Sequence, residues 1–143
     1  MDKELRRAII IDNYENPTNK VRVNDDSFIK INTSSDSCID NVDLFVKFDN
    51  DIISDLYFDG EACAISTSAT SIMIKMFLGK SIDEARMIID NYYNMIEEKD
   101  YDEKILEELN AYSDIAKQPN RKNCALLPFN AILKAIDIYK KSL

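Results

Sequence analysis

The stretch "VDLFVKFDNDIISDLYF", residues 42–58, decides the fold. Val42, Leu44, Val46 and Phe48 recur at period two, the spacing of a strand that buries one face. Asn50-Asp51 follows as a turn, and Ile52 to Phe58 reads as the hairpin partner. Just upstream, "SFIKIN" (Ser27 to Asn32) puts Ile29 and Ile31 on one side, a further strand. The first half of the chain therefore predicts a small meandering antiparallel sheet.

Outside the hairpin the period changes. Asp2 to about Glu15 has helical spacing, with Leu5, Ala8 and Ile9 as its apolar positions, and it stops ahead of Pro17. Ile65, Ala69, Ile72, Met73, Met76 and Phe77 mark a helix from about Ser66 to Leu78, with Gly79 as the stop. "SIDE" (Ser81 to Glu84) is a capping-box pattern, opening a helix whose face is Ile82, Ala85, Ile89, Tyr92 and Ile96. A further helix is expected over Glu103 to Ala116, and a last one from about Cys124 to Lys140 with Ala131, Ile132, Ala135, Ile136 and Tyr139 inward. Strands first and helices after predict an α+β domain, a three-stranded antiparallel sheet with helices packed on one face. No repeat or linker interrupts it, so residues 1–143 read as one domain.

Composition narrows the function classes. The 143 residues carry a net charge of −8, which argues against a broad basic face for nucleic acid. The longest uncharged stretch, Ala62 to Ile74, is too short and too rich in Ser and Thr to span a bilayer, and the opening residues lack the apolar core of a signal peptide. Three cysteines are too few for a disulfide framework, and the reading is a cytoplasmic protein with reduced thiols. There is no histidine, so imidazole bases, Ser–His–Asp triads and His-containing zinc sites are excluded. The Tyr92-Tyr93 pair reads as core plus rim, and Met73, Met76, Met87 and Met95 as helix packing. The acidic run "EEKDYDEKILEE" reads as a solvated face.

The cysteines fall at expected element boundaries: Cys38 in the polar loop "SSDSCIDN", Cys63 just ahead of a helix, Cys124 at the first turn of the last one, where Pro128 would be tolerated. Thiols near helix N-termini meet unpaired backbone N–H groups, which favour the thiolate. In an extended loop Cys38 and Asp40 would project to the same side. Three thiolates and one carboxylate make a tetrahedral set for zinc, or a partial cage for an iron–sulfur cluster. Such a set leaves bound Zn²⁺ with net negative charge, and Arg121 is the candidate cation to offset it. Against this stands the plainer alternative that the thiols simply pack, since no C-x-x-C pair is present. Spacing leaves both open.

Four stretches resemble a known family. "IDNYENPTN" (Ile11 to Asn19), "CIDNVDLFVKFD" (Cys38 to Asp49), "GEACAISTSATS" (Gly60 to Ser71) and "RKNCALLPFNAI" (Arg121 to Ile132) are similar to the motifs of iron–sulfur cluster assembly proteins of the IscU/NifU type. Asn123 stands where the short-spaced scaffolds carry histidine, and Tyr101 to Asn120 lengthens the interval before Cys124. Both features resemble the SufU branch. Ile39 and Ala62 replace family glycines and Asn13 a family histidine. The resemblance implies an IscU/SufU-like fold and a Zn²⁺ held by Cys38, Asp40, Cys63 and Cys124, with iron or a [2Fe–2S] cluster as the alternative cargo. It implies a zinc-dependent carrier that accepts persulfide sulfur, on Cys38, from a cysteine desulfurase of the SufS type and passes it to downstream assembly proteins. Two other readings remain: a scaffold on which a [2Fe–2S] cluster forms, and a protein whose zinc is purely structural.

Overall fold

The structure is a computed structural model and describes residues 1–34 and 40–143. In chain order the elements are α1 (Lys3–Glu15), β1 (Ile29–Ser34), β2 (Asn41–Asp49), β3 (Ile52–Glu61), α2 (Ala64–Phe77), α3 (Ile82–Ile96), the single turn α4 (Glu103–Leu106), a 3-10 helix (Glu107–Lys117) and α5 (Pro119–Lys141). The three strands form one antiparallel sheet in the order β1-β2-β3, as the hairpin reading predicts.

The turn between β2 and β3 is built from Asn50 (φ 50°) and Asp51 (φ 63°), two residue types whose short polar side chains tolerate left-handed backbone. From there the ladder runs to Val42 opposite Gly60 and Asn41 opposite Glu61. Gly60 sits at φ +131°, and a Cβ there would lie 2.2 Å from the Asn41 carbonyl oxygen, so the two strands close together at this end because residue 60 has no side chain. Val42, Leu44, Val46, Ile53, Leu56 and Phe58 are buried against the helices, chiefly α5 and α2.

The other sheet face carries a polar and aromatic layer. Arg22 bonds Asp59 (3.1 Å) and Asp43 (2.9 Å) and lies over the Phe45 ring. Residues 19–20 also flank β3: Lys20 forms a parallel bridge with Phe58, the Phe58 N–H donates to the Asn19 carbonyl (3.1 Å), and Asn19 Nδ2 donates to the Leu56 carbonyl (3.1 Å).

The helices follow their predicted signals with some differences. Ser81 and Glu84 make the full capping box that opens α3, and Gly79 ends the preceding turn at φ +81°. The α3 face predicted from spacing is buried, Tyr92 lies in the core stacked on Phe129, and Tyr93 is half-buried at the rim. Met87 is exposed, unlike Met73, Met76 and Met95. In α1, Arg6, Ile9, Ile10 and Asn13 turn inward, and Leu5 and Ala8 face solvent. The segment 107–117 winds as a 3-10 helix, not an α-helix. The strand expected at Ser27–Asn32 lies two residues later, because Ser27 closes a turn whose backbone N–H is taken by Asp25 (2.9 Å). No helix among the described residues is long and apolar enough to cross a membrane.

Candidate metal centre

Three distant segments meet at one end of the sheet. The β2–β3 ladder, continued one step past Asn41 and Glu61, sets Asp40 beside Ala62 and so next to Cys63. Cys63 is the N-cap of α2, and its Sγ accepts from the Ser66 N–H at 3.5 Å. It takes the place a Ser or Asp side chain usually fills at a helix start. Packing of α5 on α2 brings in Cys124, which is fully buried.

A carboxylate oxygen of Asp40, Cys63 Sγ and Cys124 Sγ form a compact donor set, each lying within 4.8 Å of the other two. Cys63 Sγ and Asp40 Oδ2 are 3.9 Å apart. Ligands on a tetrahedral zinc, at about 2.0–2.3 Å from the ion, lie roughly 3.3–3.8 Å from one another. The observed separation is close to that edge, and sulfur plus carboxylate oxygen is a donor chemistry zinc and iron both accept. Asp40, Cys63 and Cys124 can therefore hold a metal.

The Asp40 carboxylate is buried, at 3% exposure, and both its oxygens have donors. Oδ1 accepts the Cys63 backbone N–H at 2.7 Å, and Oδ2 accepts the Ser66 hydroxyl at 2.6 Å. Two hydrogen bonds and a place at the start of α2 compensate a carboxylate that burial would otherwise disfavour. Ser66 also reaches the Cys124 carbonyl oxygen at 3.0 Å, so one hydroxyl touches all three donor-bearing segments.

Of the residues singled out from sequence, Asp40, Cys63 and Cys124 converge. Cys38 and Ile39 lie outside the described residues, so the shared projection of Cys38 and Asp40 does too. Arg121 is exposed on the first turn of α5 and makes no ion pair among the described residues. Cys124 is not at a helix start: α5 begins at Pro119, and Cys124 and Pro128 both lie inside it. Ser66 was not a sequence candidate. Its signal was its position, third in a helix that opens on a cysteine, which places its N–H and hydroxyl beside the capping sulfur.

Beneath the site the helices are tied by buried hydroxyls. Tyr112 donates to Ser68 Oγ at 2.6 Å and Tyr92 to the Ala125 carbonyl at 2.9 Å. Burial pushes both phenols above their ordinary titration range, so they stay protonated donors at neutral pH. Asn13 accepts from the Ser71 hydroxyl at 2.8 Å and donates to the Ile9 carbonyl, a structural role.

The profile of the NifU-like N-terminal domain matches residues 6–143. The chain belongs to that family. Among its NifU-like relatives, the zinc-dependent sulfurtransferase SufU of Bacillus subtilis is 35% identical over 133 residues, covering 92% of this chain and 89% of the relative. The iron–sulfur cluster assembly scaffold protein IscU of Streptococcus pyogenes is 32% identical, covering 92% and 82%. A crystal structure of an iron–sulfur cluster assembly scaffold protein for the SUF system from Fervidobacterium islandicum superposes with a TM-score of 0.85 at 30% identity, covering 94% of this chain and 98% of that one. The expected NifU-like fold, a three-stranded sheet with helices on one face, is the observed one.

Proposed function

We propose that this protein is a metal-binding sulfur acceptor of iron–sulfur cluster biogenesis, taking persulfide sulfur from a cysteine desulfurase of the SufS type. The observation that carries this reading is the convergence of Asp40, Cys63 and Cys124 within 4.8 Å, three donors from segments far apart in sequence. The likeness to the zinc-dependent sulfurtransferase SufU supports zinc as the ion and sulfur as the cargo. Cys38 is the fourth ligand and the acceptor in this reading.

Zinc supplies the positive charge that keeps the thiols deprotonated near neutral pH. The protein's residues do the rest. Cys63 and Cys124, one capping α2 and one buried in α5, are the fixed anchors. The Cys38 thiolate attacks the outer sulfur of the desulfurase persulfide. The new S–S bond forms on Cys38, the old one breaks, and the desulfurase cysteine leaves as a thiolate. Asp40 is a ligand whose oxygens both have donors when it is not holding a cation, so it can yield its place without becoming a bare buried charge.

The test is metal analysis of wild type beside Cys38→Ala, Asp40→Ala, Cys63→Ala and Cys124→Ala, with desulfurase turnover measured at substoichiometric protein. The expected result is one zinc per wild-type chain, loss of zinc in the Cys63 and Cys124 variants, and stimulation that disappears in Cys38→Ala. Stimulation unaffected by Cys38→Ala would leave zinc a structural role. The likeness to IscU scaffolds keeps a second reading, transient [2Fe–2S] assembly. Visible absorbance after anaerobic reconstitution, transferable to an apo-ferredoxin, would favour it.

A further inference from the structure

An α-helix normally satisfies each carbonyl with the N–H four residues on. For Cys124 that residue is Pro128, in the interior of α5. Proline has no N–H, and its ring crowds the carbonyl four residues back, so the helix cannot supply this bond. The Cys124 carbonyl instead accepts from the Ser66 hydroxyl at 3.0 Å, across the interface of α2 and α5. The same hydroxyl lies 2.6 Å from Asp40 Oδ2. A serine hydroxyl carries one proton, so it cannot donate fully to both acceptors. Ser66 is entirely buried, and so is removed from water that could supply a second donor.

We infer that Ser66 is a positioning residue with two settings, its proton lying on Asp40 when that carboxylate is off the cation and on the Cys124 carbonyl when Asp40 Oδ2 is engaged. Pro128 makes the second setting available by removing the helical donor. The arrangement lowers the cost of detaching Asp40, because the released oxygen is met at once by a hydroxyl. It also lowers the cost of engaging it, because the hydroxyl proton has somewhere to turn. Ser66 and Pro128 thus set how readily the Asp40 arm exchanges on and off the cation. This rests on the zinc reading given above, and adds the residues that govern ligand exchange.

The two residues pull in opposite directions, and that separates this role from mere packing. In Ser66→Ala the detached Asp40 oxygen loses its donor, so release of Zn²⁺ from the full-length protein into an excess of chromophoric chelator should slow by about tenfold, the low end for a buried hydrogen bond to a charged group. In Pro128→Ala the helix regains its N–H to the Cys124 carbonyl, the hydroxyl proton stays on Asp40, and release should quicken by a similar factor. Ser66→Thr, which keeps the hydroxyl, should release zinc within about twofold of wild type. Adding Pro128→Ala to Ser66→Ala should change nothing, since the proton it redirects is gone.

The inference is overturned if Ser66→Ala and Pro128→Ala both speed release, as general loosening would. It is also overturned if Ser66→Ala matches wild type, or if the Pro128→Ala effect survives without the hydroxyl. A wild-type protein that takes up no zinc would sink this inference and the metal reading together. Zinc uptake with the wrong order among the variants would sink this inference alone.

Discussion

Asp40 and Asp43 stand close in sequence at the start of β2 and meet opposite fates. Asp40 turns into the protein and is 3% exposed, cradled by Cys63 and Ser66. Asp43 lies on the outer sheet face, where Arg22, Asn32 and Lys30 surround it. Partial burial alone would push the Asp43 carboxyl up. Hydrogen bonds from Asn32 and Arg22, with the charge of Lys30 added, outweigh it and hold the carboxyl below its ordinary value. The sign for stability follows. Unfolded, this group takes up a proton near its usual pH of about 4, and folded only at lower pH. As pH falls through that window the unfolded chain binds more protons, so stability declines with acid. Urea unfolding midpoints from about pH 6 to pH 2 should fall less steeply for Asp43→Asn than for wild type. Equal slopes would show that the Arg22–Asp43 pair contributes nothing in solution.

At the scale of elements, Gly60 is the position where the sheet and the candidate metal centre constrain one another. A methyl group there meets the Asn41 carbonyl at 2.2 Å, and the φ of +131° is strained for any other residue. Gly60→Ala should cost about 3 kcal/mol or more, read as a lower urea midpoint. Because Asn41 directly follows Asp40, the variant should also lose zinc affinity even when folded. A Gly60→Ala protein with native zinc affinity would show that the strands separate there without moving Asp40.

Which elements could be read beforehand follows from which rules act locally. The period-two run from Val42, the Asn50-Asp51 turn and the Ser81–Glu84 box are all set by near neighbours, and each was legible. The start of α5 was not. Pro128 suggested a helix only just beginning, because an interior proline forfeits a backbone bond. That bond is replaced by Ser66, which is distant in sequence. The 3-10 winding of residues 107–117 and the exposure of Leu5 and Met87 likewise depend on tertiary contacts that no window of sequence contains. In the site, residue type and motif order picked out Asp40, Cys63 and Cys124, the three donors that the fold brings within 4.8 Å of one another. The part played by Ser66 is geometric, and a hydroxyl in a run of hydroxyls carries no distinguishing mark.

Across the whole molecule, the donors at 40, 63 and 124 come from the entry to β2, the cap of α2 and the second turn of α5. They share a point only after hairpin, α2 and α5 have packed. A ligand that binds only this assembled state stabilises it by mass action, by roughly 2.7 kcal/mol at a concentration a hundred times its dissociation constant. Zinc should accordingly raise the thermal midpoint by about 5–10 °C for a domain of this size, and a strong chelator should reverse the gain. Cys63→Ala should abolish most of the zinc-dependent increment. A midpoint indifferent to zinc in wild type would mean that the ion has no preference for the folded chain over the unfolded one.

The arm at Asn19 and Lys20 has a consequence of its own. A naked sheet margin is a template onto which a foreign strand can zip, and long flat margins seed fibrils. On β3 the rungs at Leu56 and Phe58 are already taken by Asn19, and Lys20 continues beside the strand as a parallel bridge to Phe58. An incoming chain therefore meets a margin plugged at its midpoint, too short on either side of the plug to nucleate growth.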